Sequence, residues 1–520
     1  MYNYLFSEEH QVFRQGLRDF LQREVIPHID EWEEERRIPK ALWKKFGEMG
    51  YLGLNFPEAY GGINADFFFS VIFLEEIARC YSGGFTITPS VQQYMAAPYL
   101  WKHGSDFLKE KYLTRAISGE WIASIAITEP GAGSDVANIQ TRAERQGDYY
   151  VVNGAKTFIT NGYYGDFLVT VVKTTPDKGA GGISLMVIDR QADGVSARKL
   201  KKLGWHASDT AELNFDEVKV PAANLIGEEN MGFYYLMGGL QLERLAGAIS
   251  AVAASQHALE YAMQYMSERE AFGRPINKFQ VLRHRVAQLS AEIESTRAFV
   301  YHCARLHQDG EYAVKECSMA KLLATELSDK ATYQCLQFFG GYGYMEEYKI
   351  ARMFRDSRIG TIGGGTSEIM REIIARMVLD EQQYDQRQPG MTGMGGHSGP
   401  SRATPGSSSN STSFKQYKND KHMDLNQVMD QVKQRADNAA PLGNTLKFNM
   451  GDQNIFLDGT GDANTVTAED KDADCTVEIA PDDFAALLKG ELNPMSAFMS
   501  GKIKVKGDMG VAMKLQSLLS

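Results

Sequence analysis

The stretch Ile127-Thr128-Glu129-Pro130-Gly131-Ala132-Gly133-Ser134-Asp135 carries the residue types of a backbone that presses against a flat, polar ligand. Pro130 fixes one φ and removes a donor, while Gly131 and Gly133 permit positive φ and close approach. Free N–H groups and the hydroxyls of Thr128 and Ser134 are left to donate to nucleotide or acyl-thioester oxygens. The stretch has no phosphate-loop lysine and lacks the G-x-G-x-x-G spacing of a dinucleotide fold, so neither of those sites is implied. Taken alone, it also fits an ordinary surface turn.

On either side of this stretch the chain changes character. Residues 4–120 carry helical periodicity, and strands take over at Trp121. Tyr149-Tyr150-Val151-Val152 and Thr157-Phe158-Ile159-Thr160 flank Asn153-Gly154, whose tolerance of positive φ predicts a tight hairpin turn, and Asn161-Gly162 predicts another. Segments 166–173, 183–189 and 212–220 read as further strands, the last ended by Pro221. From Gly232 the helical period returns, with Leu282, Val286, Leu289, Ile293 and Val300 on one face. Residues 383–420 lose periodicity in a run of Gln, Gly, Ser, Thr and Pro that cannot offset the entropy of folding. They read as a flexible linker whose mean reach, at roughly 5–6 Å × √n, is about 30 Å. Residues 421–520 form a second, smaller body. Gly451-Asp452 marks a hairpin, Pro481-Asp482-Asp483 and Asn493-Pro494 mark helix starts, and Ile503 and Val505 alternate with lysines as in a half-exposed strand.

With 520 residues and 43% hydrophobic content, the chain exceeds the size of one growing core, so several domains are expected. The five cysteines have no C-x-x-C pairing, and the ten histidines are scattered, which argues against disulfides and a metal site and for a reducing compartment. A net charge of −11 disfavours general binding to nucleic acid. The apolar run 245–254 is too short to span a bilayer and is expected to pack helix on helix. Ser7-Glu8-Glu9 reads as a helix start that leaves no room for a leader, and the terminal Leu518-Leu519-Ser520 is not a peroxisomal address. Bacterial cytoplasm is the expected location.

Four motifs sit in one order: Thr128-Glu129-Pro130-Gly131-Ala132-Gly133-Ser134-Asp135, Arg269-Glu270-Ala271-Phe272-Gly273-Arg274, Gln337-Phe338-Phe339-Gly340-Gly341-Tyr342-Gly343, and Gly363-Gly364-Gly365-Thr366-Ser367-Glu368-Ile369-Met370-Arg371. Together they resemble the acyl-CoA dehydrogenases over residues 1 to about 380. Residues 473–510 resemble the sterol carrier protein type 2 family, which binds fatty acyl chains, acyl-CoA or sterols. The resemblance implies a multidomain fold: an all-α N-terminal domain (1–120), a β-barrel-like middle domain (121–231), an α-helical bundle (232–382), the linker (383–420) and a small α/β lipid-binding domain (421–520). It also implies FAD as cofactor, an electron-transfer flavoprotein as partner and a homotetramer.

Desaturating an acyl thioester needs a base for the α-proton, a hydride acceptor near the β-carbon and donors to the thioester oxygen. Many members of the family place a carboxylate just before the Gly-Thr-Ser of the last motif. That position is Gly364 here. Isovaleryl-CoA and long-chain members use a glutamate on an earlier helix, and Leu240-Gln241-Leu242-Glu243-Arg244-Leu245 matches that context, which implies Glu243 as base; the alternative is a solvated Glu243 paired with a neighbouring charge. Ile125, Thr128, Gly133, Ser134, Phe158 and Thr160 match flavin-contacting positions, Phe158 standing where many relatives carry tryptophan. Arg269, Phe272, Gln280, Gln337, Gly340 and Gly341 match positions that hold the dinucleotide part of FAD, some across a subunit interface, although glycines and aromatics in a bundle also serve packing. Thr366 and Glu368 complete the cofactor set. Ser134, Tyr234, Arg244, Gly364 and Gly365 are the expected substrate-binding residues, with Gly364 favoured over Glu368 for a backbone N–H to the thioester oxygen. No metal is expected.

Gly238 and Gly239 are costly in a helix unless something lies close, either an acyl tail or a neighbouring helix. The expected function is FAD-dependent dehydrogenation of a medium- to long-chain or branched acyl-CoA, with a tethered lipid-binding domain. A lipid-transfer protein with an inactive dehydrogenase part, and an acyl-CoA oxidase, are the alternatives.

Overall fold

Helix Glu8–Glu24 begins where Ser7 and His10 satisfy each other's backbone donors, the Ser7 hydroxyl accepting from the His10 N–H and His10 Nδ1 accepting from the Ser7 N–H at 3.0 Å. His10 Nε2 lies 3.1 Å from Asp66 Oδ1, and Asp66 caps the next core helix, Phe67–Ile77. That helix is apolar on every side and almost wholly buried because neighbouring elements cover all its faces. Its buried charge, Glu76, is held by Arg14, Arg18 and Arg79 at 2.8–3.0 Å. In this computed structural model the described residues are 3–380, 429, 432–436 and 441–507, apart from 452, 462, 489–491, 493–496 and 498–501. Two compact units divide near residue 390, and the first contains every candidate site residue.

After the N-terminal helices, the strands form one eight-stranded sheet. Its order is Val195–Lys199, Thr210–Pro221, Tyr149–Thr160, Arg142–Gln146, Phe167–Lys173, Ile183–Asp189 and Leu225–Ile226, with Ala123–Ala126 pairing Phe167–Lys173 in parallel. Strand Phe167–Lys173 is buried on both faces and so reads as a continuous apolar run. Phe167, Val169 and Val171 pack with Leu108, Tyr112, Leu113 and Ile117 of the preceding helices. Leu168 and Val172 face the opposite way, joining Tyr150, Met186, Ile188, Leu213 and Phe215. The sheet thereby fixes its own core and the side on which the helices lie.

The hairpin expected at Asn153-Gly154 is not formed. Tyr149–Thr160 is one strand, paired antiparallel with Thr210–Pro221 from Tyr149↔Pro221 to Thr160↔Thr210. Gly154, at φ +150°, sits at a break in register where an added Cβ would lie 2.6 Å from Thr141 Oγ1. Asn153 meanwhile exchanges hydrogen bonds with Glu217 on the partner strand, at 2.6 and 2.9 Å. The Asn-Gly pair therefore serves close approach inside a bulged strand rather than chain reversal. The Asn161-Gly162 turn is present, with Asn161 at φ +61°.

Three long helices follow, Gly232–Glu268, Gln280–Gln308 and Val314–Phe338, with Lys349–Ser357 and Ser367–Leu379 after them. The run 245–254 packs helix on helix, burying Leu245, Ala246, Ala248, Ile249, Val252 and Ala253. On Gln280–Gln308, Leu289, Ile293 and Val300 are buried, whereas Leu282 and Val286 nearer its start are half-buried. Among the described residues no helix is long and apolar enough to cross a membrane, and all five cysteines are buried and free.

The second unit has a five-stranded sheet in the order Thr465–Thr467, Asn454–Asp458, Thr445–Asn449, Cys475–Ile479 and Ile503–Gly507. The expected hairpin is there, with Asn449 opposite Asn454 and Gly451 at φ +85°. Helix Pro481–Leu488 starts at the expected proline and lays Phe484 against Phe448 at 4.7 Å between ring centroids. The helix start at Asn493-Pro494 and the linker 383–420 fall outside the described residues.

Burial alone would raise the Glu76 carboxyl, but hydrogen bonds and charge from Arg18, Arg14 and Arg79 outweigh it and hold the group below the usual carboxylate range. A depressed native value gives stability that is complete above the ordinary carboxylate range and lost as pH falls through the native value. Glu76→Gln removes the buried anion from three partly exposed arginines and is expected to cost roughly 2 kcal/mol at pH 7. Urea unfolding of the two proteins, followed from pH 7 down to 3, measures this; equal midpoints at pH 7 would contradict it.

Candidate active site

The stretch 127–135 is fastened from beneath. Glu129 N–H and Ala132 N–H each donate to the other residue's carbonyl, at 2.9 and 3.2 Å, and close a tight turn. The Glu129 carboxylate accepts from the N–H groups of Gln140 and Thr141, at 2.5 and 3.0 Å, and from Lys156 Nζ at 2.8 Å. Lys156 also donates to the Ile127 carbonyl at 3.0 Å, and Thr157 N–H donates to the Thr128 carbonyl at 2.8 Å. Burial lowers the Lys156 ammonium to about 8 against the pull of Glu129. Burial also acts to raise Glu129, but Lys156 and the N–H donors outweigh it and hold that carboxyl below its usual range. Local sequence pattern gives Glu129 no role of its own and does not single out Lys156; a lysine inside an apolar strand is the available signal.

Neither Gly131 nor Gly133 takes a positive φ, so the torsional reason given for them does not hold. Their neighbourhood supplies another. A Cβ at Gly131 would meet nothing within 4 Å, and one at Gly133 would reach only Thr128 Cγ2 at 4.0 Å. The chain's own packing does not require these glycines. Their open side is a cradle that side chains would fill, with Thr128 half-buried and Ser134 exposed beside it. Ile125 lies half-buried on Ala123–Ala126, and Thr160 half-buried at the end of Tyr149–Thr160. Phe158 stands out: it is 68% exposed and held at φ +62° at a break in strand register. A bulky residue in that conformation costs of order 1–3 kcal/mol, and such strain concentrates at ligand clamps.

The second group of cofactor candidates is carried by the bundle. Arg269, Gln337, Gly340 and Gly341 line one cavity of about 560 Å³ together with Tyr265, Ile276 and Tyr342. Gly340, at φ +58°, and Gly341 again leave open space where a Cβ would stand. Gln280 is exposed at the first turn of Gln280–Gln308. Phe272 and Gly273, at φ 52° and 76°, form the tip of a hairpin between Glu270–Ala271 and Arg274–Pro275, and Phe272 is 95% exposed. The structure thus brings Arg269 and Gln337 together in one chain, on elements other than those that carry Thr128, Ser134 and Phe158. Open glycine surfaces, free hydroxyls and an exposed arginine fit a flavin dinucleotide, whose ring needs a flat approach and whose phosphates need donors.

Glu243 is buried midway along the first turns of Gly232–Glu268, not solvated. Tyr99 Oη donates to its Oε1 at 3.0 Å. Burial raises its carboxyl to about 7, against the hydrogen bond from Tyr99 and the charge of Arg244, both of which lower it. Arg244 is buried beside it, Nη1 donating to Gln241 Oε1 at 3.4 Å. Gly239 answers the question posed by the helix glycines: its Cβ would stand 2.2 Å from Tyr99 Oη, so a neighbouring helix takes that space. At Gly238 nothing lies within 4 Å. Tyr234 is half-buried one turn earlier.

Facing elements complete the site. Lys321, buried on Val314–Phe338, donates to the Gly365 carbonyl at 2.5 Å. Burial lowers Lys321 to about 8, and Arg244 and Glu368 are among the charges it feels, which places these groups in one neighbourhood. Gly364 and Gly365 take φ +65° and +91°, and a Cβ at Gly364 would meet nothing. The Thr366 hydroxyl accepts from Ile369 N–H at 3.3 Å and caps Ser367–Leu379, with Glu368 exposed in its first turn. Tyr99 and Lys321 escaped sequence reading because their contacts lie 144 and 44 residues away along the chain. Among the described residues no group of three or more His, Cys, Asp or Glu could hold a metal.

Family models match the chain in series: "Acyl-CoA dehydrogenase, N-terminal domain" at 7–120, "middle domain" at 124–218 and "C-terminal domain" at 230–379, followed by "SCP-2 sterol transfer family" at 425–520. The long-chain specific acyl-CoA dehydrogenase of Sus scrofa is 42% identical over 383 residues, covering 73% of this chain and 88% of the relative. The isovaleryl-CoA dehydrogenase of Oryza sativa subsp. japonica is 38% identical, covering 73% and 93%. A crystal structure of acyl-CoA dehydrogenase from Geobacillus kaustophilus superposes with a TM-score of 0.70 at 45% identity, covering 72% of this chain and 99% of that one. With its base candidate buried, its cofactor cradle open and these matches running in one order, the chain belongs to the FAD-dependent acyl-CoA dehydrogenase family and carries an SCP-2 domain after it.

Proposed function

We propose that Glu243 is the base that removes the α-proton of an acyl-CoA thioester, the step that opens α,β-dehydrogenation to the trans-2-enoyl-CoA. The observation that carries this is a carboxyl poised near 7, buried beside a single phenol donor, in a chain whose other family base position is Gly364. A base whose protonation balances near neutral pH combines a populated carboxylate with a useful driving force for proton transfer. Bound FAD supplies the hydride acceptor for the β-carbon. The 127–135 cradle with Ile125, Phe158 and Thr160 holds the flavin, Thr366 and Glu368 complete its surroundings, and Arg269, Phe272, Gln280, Gln337, Gly340 and Gly341 hold the dinucleotide. The backbone N–H of Gly364 serves the thioester oxygen, in a loop that Lys321 steadies at Gly365. Arg244, Ser134 and Tyr234 contact substrate.

The substrate class is a medium- to long-chain or branched acyl-CoA. Open space at Gly238, one helical step before the residue that packs on Tyr99, supports an acyl tail along that face. An electron-transfer flavoprotein takes the electrons; accumulation of peroxide would assign an oxidase instead. Assembly as a homotetramer, which the family resemblance implies, is compatible with Phe272 standing 95% exposed at a hairpin tip. The domains divide as 1–120, 121–231, 232–382, 383–420 and 421–520. Five free, buried cysteines support a reducing, cytoplasmic setting.

Glu243→Gln conserves volume and removes the proton acceptor. The variant is expected to keep bound FAD and lose turnover by at least about 100-fold in a dye-coupled assay over an acyl-CoA panel. Near-normal turnover would reject Glu243 as base.

The same substitution is expected to stabilise the fold. A carboxyl raised from 4.5 to about 7 keeps its full contribution below 4.5 and loses it as pH rises through 7. At pH 8, Glu243→Gln should unfold later than wild type by roughly 1–3 kcal/mol, the difference closing towards pH 4.5. Urea titrations at the two pH values decide it, and a less stable variant at pH 8 would count against the burial argument.

Residues 1–385 are expected to fold, bind FAD and oxidise soluble acyl-CoA alone, because every proposed active-site residue precedes the linker. Tethering a lipid-binding domain raises local substrate concentration without touching the transition state. Truncation should therefore raise the apparent KM for long, poorly soluble acyl chains and leave short ones nearly unchanged. An equal loss across chain lengths would assign residues 421–520 a role in folding or assembly.

A further inference from the structure

A carboxylate that must take a proton along one direction gains from having its other oxygen fixed. Tyr99 Oη donates to Glu243 Oε1 at 3.0 Å, and both side chains are buried. Tyr99 comes from Ala97–His103, a short helix with Pro98 in its first turn, packed against Gly232–Glu268. Its place there depends on Gly239. A Cβ at that position would stand 2.2 Å from Tyr99 Oη and 2.5 Å from Cζ, with the ring, not a flexible tip, in the way. Glycine inside a helix costs about 1 kcal/mol relative to alanine, and here it admits a hydroxyl to the side of the helix that carries Glu243, one turn on.

We propose that Tyr99 is a positioning residue for Glu243: its hydroxyl takes Oε1, orients the carboxylate and leaves Oε2 outside that bond for the α-proton, with Gly239 as the residue that makes room. The proposal rests on Glu243 being the base. A phenol suits this task better than a cation. It stays neutral over the working range, since burial and the nearby Glu243 push its own ionisation well up, so it donates without converting the site into a permanent ion pair. The other groups bearing on the pair are Arg244 on the same helix and Tyr312 ahead of Val314–Phe338. Cys317 and Lys321 on that last helix both feel the charge of Arg244. A hydrogen bond to the charged form of a carboxyl lowers its pKa, so the same contact that orients Glu243 limits how far burial can raise it.

The test is the pH profile of kcat/KM for the FAD-loaded enzyme. Tyr99→Phe keeps the ring and removes the donor. It is expected to move the acid limb upward by about one pH unit and to lower kcat more than tenfold at pH 7 while changing KM little. Site-specific 3-fluorotyrosine at position 99 keeps the shape, strengthens the donor, and should move the limb downward; it also carries the test should Tyr99→Phe lose FAD or fail to fold. Opposite shifts from two nearly isosteric changes are not produced by a merely structural role. An acid limb that stays in place in 3-fluorotyrosine or Phe variants with full FAD content would overturn the proposal. Glu243→Gln run alongside separates the two claims: if it abolishes turnover while the Tyr99 variants overlay wild type, Tyr99 alone is refuted. If it retains turnover, the base lies elsewhere and both fall.

Discussion

Taking a carboxyl out of water disfavours its charged form, and the first unit buries one such carboxyl, Glu243. Glu243 cannot be fully ionised in its site without compensation, and it receives little: one neutral phenol and the charge of Arg244. The balance leaves it near 7, where it can hold or release a proton. Glu76 shows the alternative in the same protein. Three arginines surround it, its carboxyl sits below the usual range, and it works as a fixed anion that ties helices together. Glu129 follows the second pattern on a smaller scale, with Lys156 and two backbone donors pinning the 127–135 turn. Identical side chains thus differ in the charge they carry according to what faces them.

Glycines mark where the site is open. At Gly131, Gly133, Gly341 and Gly364 an added Cβ would touch essentially nothing, so the packing of the chain itself does not require glycine there and the proposed ligand has room. At Gly239 and Gly154 the reason is the reverse, a neighbour already in contact. Phe158 and Phe272 break local rules in the same regions, one bulky residue at positive φ in a strand and one aromatic almost wholly exposed at a hairpin tip. Sequences depart from local preference mainly where function or assembly requires it, and these departures coincide with the cofactor candidates.

Much of the fold was legible because periodicity and turn chemistry are local. The succession of helices, sheet and helices, the strands at 167–173 and 183–189, and the hairpin at Gly451 follow from spacing alone. The reading failed at Asn153-Gly154 because the same dipeptide serves a reversal or a bulge, and only the partner strand, some sixty residues on, decides which. Glu243 was reached through the resemblance of its surroundings, and its burial then gave that choice a physical basis. Tyr99 and Lys321 were invisible, since nothing in a stretch of helix records which distant carboxylate or carbonyl its side chain will meet. Gly239 was noticed as anomalous, yet its neighbour required the packed structure.

Proton removal at the α-carbon can be observed apart from oxidation. A 3-thia acyl-CoA analogue, which cannot be oxidised at the β-position, is incubated with the FAD-loaded protein in deuterated water, and deuterium at its α-carbon is followed by mass spectrometry. Rapid exchange with wild type that disappears in Glu243→Gln is the predicted result. Exchange at the wild-type rate in Glu243→Gln, with the analogue still bound, would contradict the assignment of the buried glutamate as base.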